Sequence, residues 1–435
     1  MLERYAELNT AEFGRMYDLI PFLEGSTAES YEHQRQMLLE KLAGLVQWGH
    51  RGTKADVSAM SEGCRLCGEG VWSCLFINGK CNCDCFYCPA SQNEECLPTT
   101  NAVSFSSPAE YTAYLKEFGF RGASISGGEP LLTPERTLSY IKAVKDEFKD
   151  KIYMWMYTNG SLVTKDILQM LKEAGLDEIR FDIGATDYDL SKLKSAVGII
   201  PFVTVEIPAV PEELDNMKTV MHELAKIGVN HLNLHQLRLT PYNFPNLIER
   251  DYHYIHNESV TVAESELTAL ELMLYGKQNS INLPVNYCSF PYKNRYQGYA
   301  SRKRSIEQMI KNFETITKNG YIRRITVAAP DIQGSLTAPS EKNGDSSISI
   351  HQDDISEISH NADIIISYFS ARQIHSVSYR NPFKIIHLTD SKDVVIERFR
   401  VSKDIRTNAS DFANGILPDE CRRFEVFSEG LLDYI

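Results

Sequence analysis

Eight of the ten cysteines lie between Cys64 and Cys96. Three of them, Cys81, Cys85 and Cys88, stand in C-x₃-C-x₂-C spacing within the run C-N-C-D-C-F-Y-C. At that spacing each thiolate can take one iron of a four-iron cube, and the fourth iron is left without a protein ligand. An open iron can bind a substrate or cofactor directly, so the triplet points to redox chemistry. The competing reading is a closed zinc site drawn from Cys81, Cys83, Cys85 and Cys88. It would leave the motifs further along without a purpose.

The elements that must position these cysteines alternate. Val71–Ile77 has the composition of a buried strand and ends just before Cys81. Strands are then predicted at Gly122–Ser126, Ile152–Tyr157, Glu178–Ile183, Pro201–Ile207, His231–Leu237 and Ile281–Tyr287. Between them, helical patterns cover Pro134–Phe148, Thr164–Ala174, Glu212–Ile227 and Ala263–Tyr275. Strands separated by helix-length segments form right-handed β-α-β units around a parallel sheet, and ligands bind at the C-terminal strand ends. The expected fold is α/β: a partial (β/α)₆-type barrel, an N-terminal helical segment and a small C-terminal α+β domain. The boundaries expected are 1–63, 64–320 and 321–435. Tyr31–Trp48 carries helical spacing in the first of these. A loop or linker is read at Ala338–Ser347, and strands beyond it, Ala362–Phe369 among them.

The triplet, with the aromatic Tyr87 before its last cysteine and a first strand just ahead of it, resembles the signature of the radical S-adenosylmethionine (SAM) superfamily. A second motif matches at the end of the second strand, G-G-E-P at Gly127, Gly128, Glu129 and Pro130. The resemblance covers about Val71–Leu237. It implies a [4Fe-4S] cluster on Cys81, Cys85 and Cys88, with SAM on the open iron. It also implies a reductant such as flavodoxin or ferredoxin. The reduced cluster would cleave SAM to a 5′-deoxyadenosyl radical that takes hydrogen from a peptide, protein or small-molecule substrate. In the family the G-G-E-P backbone meets the methionine amino group, and here Glu129 suits an ammonium. Asn159, in the Thr158-Asn159-Gly160 turn, Asp182 late in strand four and Glu206 late in strand five are further cofactor-binding candidates. Asp182 could accept from the ribose hydroxyls. For each, a satisfied polar core residue is the alternative. More narrowly, G-C-R-L-C-G at 63–68 and the later N-Y-C resemble a branch related to the activating enzymes of glycyl-radical proteins.

Cys64 and Cys67 form C-x₂-C before strand one, and Cys288 follows the last predicted strand. Together, with or without Cys74, they are a candidate second metal site, an iron–sulfur cluster first and zinc second. Buried apolar roles are the alternative for Cys74 and Cys288. Cys83 is expected to point away from the cluster, and Cys96 and Cys421 are unassigned. Tyr242–Tyr254 is read as a segment covering the site. The basic and aromatic group Tyr292–Arg304 could receive a carboxylate, a phosphate or an acidic peptide, or be a solvated helix face.

The formal charge of −13 over 435 residues argues against a broad nucleic-acid-binding face. The chain has no signal pattern at its start and no apolar run long enough for a membrane span. The expected compartment is the cytoplasm, where clustered cysteines read as metal ligands before disulfides. The alternative function is an iron–sulfur or zinc-binding interaction module without turnover.

Overall fold

The computed structural model describes residues 2–101, 103–306, 310, 314–328, 347–348, 374–381, 385–389, 392–396, 400–405, 416 and 418–425. One compact unit runs to Gln297 and a second begins at Gly298. The sequence reading set its lines at 63/64 and 320/321.

The first unit is built on parallel strands β1 (Trp72–Phe76), β2 (Gly122–Ser126), β3 (Tyr153–Thr158), β4 (Glu178–Phe181), β5 (Phe202–Pro208), β6 (His231–His235) and β7 (Val285–Cys288). Each pairs in parallel with the next in sequence order. β1 and β7 do not pair with each other; each is edged by short antiparallel segments, Thr99–Thr100 on β1 and Lys54–Ala55 on β7. The result is the expected partial barrel, open along the β1–β7 seam, with the seventh strand present.

Alternation along each strand separates two faces. Ala123, Ile125, Met154, Met156, Ile179, Val203, Val205, Leu232 and Leu234 are buried against the outer helices. The inner face carries Trp155, Arg180, Thr204, Glu206 and Asn233, with Glu178 at the barrel's lower end. Polar groups on this face are tolerated because they satisfy one another.

In chain order the helices used below are α1 (Leu2–Phe13), α2 (Gly25–Leu42), α3 (Glu62–Gly68), α4 (Pro108–Glu117), α5 (Pro134–Phe148), α6 (Lys165–Glu173), α7 (Ser191–Ala196), α8 (Leu214–Ile227), α9 (Phe244–Ile248) and α10 (Ala263–Gln278). The helix expected at Tyr31–Trp48 is α2 instead, six residues nearer the N-terminus, because the chain turns at Ala43–Val46. α3, which carries Cys64 and Cys67, was not anticipated. Ser61 caps it, its hydroxyl accepting from the Cys64 amide at 3.2 Å. Its Gly63 lies against the barrel's inner face, where a Cβ would come within 2.3 Å of Arg180 Nη2.

In the second unit, Ile322–Ala328 pairs antiparallel with Thr315–Ile316, Ser347–Ile348 and Ile374–Asn381, and the last of these pairs with Arg400–Ile405. Ile385–Thr389 and Lys392–Ile396 form a hairpin. Ile405, Cys421 and Phe424 are buried together beside Tyr321. The linker at 338–347, apart from Ser347, and the strand at 362–369 lie outside the described residues.

Candidate active site

A cavity of about 370 Å³ opens at the C-terminal ends of the parallel strands. Almost every strand end supplies a wall: Ser126 to Gly128 after β2, Tyr157 to Asn159 on β3, Arg180 and Asp182 on β4, Glu206 and Pro208 on β5, and His235 to Arg238 after β6. Cys81, Cys85 and Cys88 line the same cavity, so the folded chain places the triplet against the G-G-E-P backbone.

The glycines explain how closely that loop packs. Gly127 sits at φ +120°, and a Cβ there would lie 2.3 Å from the Asn78 carbonyl. A Cβ on Gly128 would lie 1.7 Å from the Lys80 carbonyl. The Gly128 and Glu129 amides donate to the Asn78 and Lys80 carbonyls at 3.1 and 2.7 Å. The two glycines therefore seat the cysteine loop as well as lining the cavity.

Glu129 is fully buried and does not line the cavity. Its carboxylate accepts from the Leu131 amide at 2.9 Å, the Thr158 hydroxyl at 2.9 Å and the Asn159 amide at 2.7 Å. Burial raises its pKa against the pull of those donors. With its oxygens engaged, Glu129 ties the G-G-E-P turn to the Thr158–Gly160 turn. Pro130 is buried and starts a helical turn behind the wall. Asn159 reaches the cysteine loop itself: its Nδ2 donates to Asn82 Oδ1 at 2.9 Å and points at Cys81 Sγ from 3.6 Å.

Tyr87 donates its hydroxyl to Asp182 Oδ1 at 2.8 Å, joining the loop to the end of β4. Burial lifts the Asp182 carboxyl to about 6, opposed by Tyr87 and by the Ala185 and Gly184 amides. The far side of the loop is clamped by the segment after β6. The Thr240 hydroxyl donates to the Pro89 carbonyl at 3.0 Å, and Asn243 Nδ2 donates to the Tyr87 carbonyl at 3.2 Å. Arg250 stacks 3.6 Å from the Phe86 ring centre. The stretch expected to cover the site holds the cysteine loop from the side.

The cavity floor is a buried ion pair. Arg180, 2% exposed, donates Nη1 to Glu206 Oε2 at 2.6 Å and Nε to Glu178 Oε1 at 2.9 Å, with Nη2 on the Ser61 hydroxyl at 3.0 Å. Asn233 Nδ2 also donates to Glu206 Oε2, at 3.1 Å. Burial pushes the Glu206 carboxyl up, but the Arg180 charge, His235 and Asn233 more than offset this and hold it below its ordinary value. Glu206 is thus a wall group with its charge compensated. His235 is driven down to about 4 by burial and by Lys293, so the imidazole is neutral at pH 7. Arg180 was not singled out as a site residue in the sequence. An arginine in an otherwise apolar strand, two residues after a glutamate on the same face, was the available signal.

Of the basic and aromatic group, Lys293 lines the cavity beside Phe290, whereas Arg295 is buried on Glu258 and Tyr5. Cys83 is not part of the wall, and Cys96 is exposed. Cys64 and the distant Cys288 both come within electrostatic reach of Cys67.

No three His, Cys, Asp or Glu side chains among the described residues converge as they would on a single metal ion. A cube takes each thiolate on a separate iron, and three cysteines opening on one cavity beside a glycine backbone fit it. Among the described residues no helix is long and apolar enough to cross a membrane.

Several known proteins are similar to this chain. The Radical SAM superfamily model matches residues 75–202. A Methanocaldococcus jannaschii protein named a glycyl-radical enzyme activating enzyme is 31% identical over 280 residues, which are 61% of this chain and 72% of that one. A Methanococcus maripaludis protein named GTP 3′,8-cyclase is 38% identical over 116 residues, 26% of this chain and 36% of the cyclase. The crystal structure of Streptococcus suis SuiB aligns with a TM-score of 0.40 at 11% identity, over 70% of this chain and 63% of SuiB. The matched regions thus span less than two thirds of the cyclase and of SuiB. The cofactors are a [4Fe-4S] cluster and S-adenosylmethionine, and a reductant and a substrate complete the chemistry. On these grounds the chain belongs to the radical SAM superfamily.

Proposed function

We propose that this chain is a radical SAM enzyme whose cluster is held by Cys81, Cys85 and Cys88, and that it abstracts hydrogen from a residue of a peptide or protein. When bound, the cluster and SAM supply an electron and a 5′-deoxyadenosyl radical. The observation that carries the reading is the cavity at the strand ends, where the triplet and the Gly127–Gly128 backbone form one wall. Gly127 and Gly128 leave main-chain groups open to the methionine end of SAM, and Asp182, on the cavity wall, is placed toward the ribose. Asn159 and Tyr87 hold the cysteine loop at its two ends. Arg180 and Glu206 close the floor and exclude water from below.

Room and kinship support this substrate class. A cavity of about 370 Å³ is at the small end for ligand sites, roughly 300–1,000 Å³. With SAM inside, a large free substrate finds little space, whereas one residue of a chain can reach in past Lys293 and Phe290. The name of the M. jannaschii relative supports a protein substrate. A flavodoxin or ferredoxin is the proposed reductant, and the cytoplasm the compartment, since all ten cysteines are free.

Anaerobically reconstituted, reduced protein should release 5′-deoxyadenosine and methionine from SAM. An intact cluster absorbance with no release would favour the binding-module alternative and overturn the reading.

A further inference from the structure

Four cysteines outside the triplet share the barrel interior. Cys74 on β1 is in register with Ser124, and Cys288 on β7 is in register with His235, so alternation turns both inward. Cys64 and Cys67 reach the same space from α3. Burial raises the thiols of Cys64, Cys67 and Cys74, so protein surrounds them. Yet all four residues keep accessible surface, unlike the packed Cys421. Groups that are enclosed but still accessible line an internal gap.

Two further features face that gap. Amide donors aim at the sulfurs: Asn233 Nδ2 stands 3.2 Å from Cys64 Sγ, and Gln297 Nε2 stands 2.8 Å from Cys67 Sγ. Such donors suit thiolate ligands, whose negative charge they share. Lys54 is 2% exposed, lies 5.0 Å over the Tyr292 ring and is within electrostatic reach of Cys64 and Cys67. No carboxylate pairs with it among the described residues. A buried cation needs a counter-charge, and metal-bound thiolates would provide one.

We propose that Cys64, Cys67, Cys74 and Cys288 hold a second iron–sulfur cluster inside the barrel, with a cysteine for every iron. Four thiols leave no open iron, so this cluster does not bind substrate. Asn233 stands as a wall between it and the cavity, its Nδ2 donating both to Cys64 Sγ and to the cavity residue Glu206 at Oε2. Its remaining role is to exchange electrons through that wall. The thiols line a gap and do not converge on one point, which favours a multi-iron cluster over zinc. This site does not depend on the assignment of Cys81, Cys85 and Cys88.

The test is iron, sulfide and zinc content of the anaerobically reconstituted full chain, with electron paramagnetic resonance after reduction. The wild type should hold about eight irons, and about four should remain in either Cys81→Ser/Cys85→Ser/Cys88→Ser or Cys64→Ser/Cys67→Ser/Cys288→Ser. The first variant should retain a reduced-cluster signal that SAM does not shift. Cys288→Ser alone, a milder change, should alter that signal with the circular dichroism spectrum preserved. About four irons in the wild type, all lost with the Cys81 triplet, would overturn the proposal, and so would about one zinc that disappears with Cys64, Cys67 and Cys288.

Discussion

Replacing Glu129 with glutamine separates a positioning carboxylate from a cofactor-binding one. The two carboxylate oxygens accept three bonds, two of them from backbone amides. Glutamine keeps one acceptor oxygen and turns the other into a donor. Whichever way the amide is set, its NH₂ faces the Leu131 or the Asn159 N–H, and one buried backbone donor loses its partner. That costs about 1–3 kcal/mol, partly offset because a buried charge is removed. A loss of about 2 kcal/mol should lower the midpoint of thermal unfolding by roughly 3 °C for a unit of this size. The Asn159 turn should loosen with it, and the Asn82 and Cys81 contacts with the turn. Differential scanning calorimetry and iron content should therefore fall together, while SAM affinity per intact cluster stays within about twofold. An unchanged midpoint and full iron content, with SAM affinity reduced tenfold or more, would refute the reasoning, because Glu129 would then be binding the cofactor directly.

Asp182 makes the pH dependence explicit. Its folded carboxyl is raised to about 6 from its ordinary value of 3.8, so between these values the folded state holds a proton that the unfolded state does not. Its contribution to stability is present below the lower value and is lost as pH rises through 6. Cofactor binding should run the other way, since ribose hydroxyls need the carboxylate. SAM titrations from pH 5 to 7 should show tighter binding with a midpoint near 6, and Asp182→Asn should abolish that midpoint. Arg180→Met leaves Glu178 and Glu206 facing each other without a cation, at a cost of about 3–5 kcal/mol. Adding Glu206→Gln should recover part of that loss in denaturant unfolding, and simple additivity would refute the pairing. Gly128→Ala drives a methyl into the Lys80 carbonyl 1.7 Å away. The fold should survive by circular dichroism while iron at the triplet falls, by at least half of about four; full retention would show that the loop is not seated on Gly128.

Much of the fold was legible in the chain. β2 spans the predicted residues, and the other six parallel strands lie within a few residues of theirs. Long periodic segments are decided by local hydrophobic pattern, which a linear sequence displays. The triplet and G-G-E-P could be read because spacing alone brings their backbone groups together. Short elements escaped. α3 is seven residues long, and the strand Lys54–Ala55 has two. Such segments exist only because a neighbour supplies their partners.

What the sequence determined by itself was the succession of β-α units and the ligand spacing of Cys81, Cys85 and Cys88. Both follow from local geometry. Tertiary structure decided which polar residues face the cofactor. From sequence, Glu129 and Asp182 were both cofactor-binding candidates, each a carboxylate near a strand end. In the folded chain the donors of the Asn159 turn consume Glu129, while Asp182 keeps a side toward the cavity. Tertiary structure also brought Cys64 and Cys67 to Cys288 across more than two hundred residues. That meeting depends on the barrel staying open along one seam, a property of how seven strands curve together that no local pattern encodes.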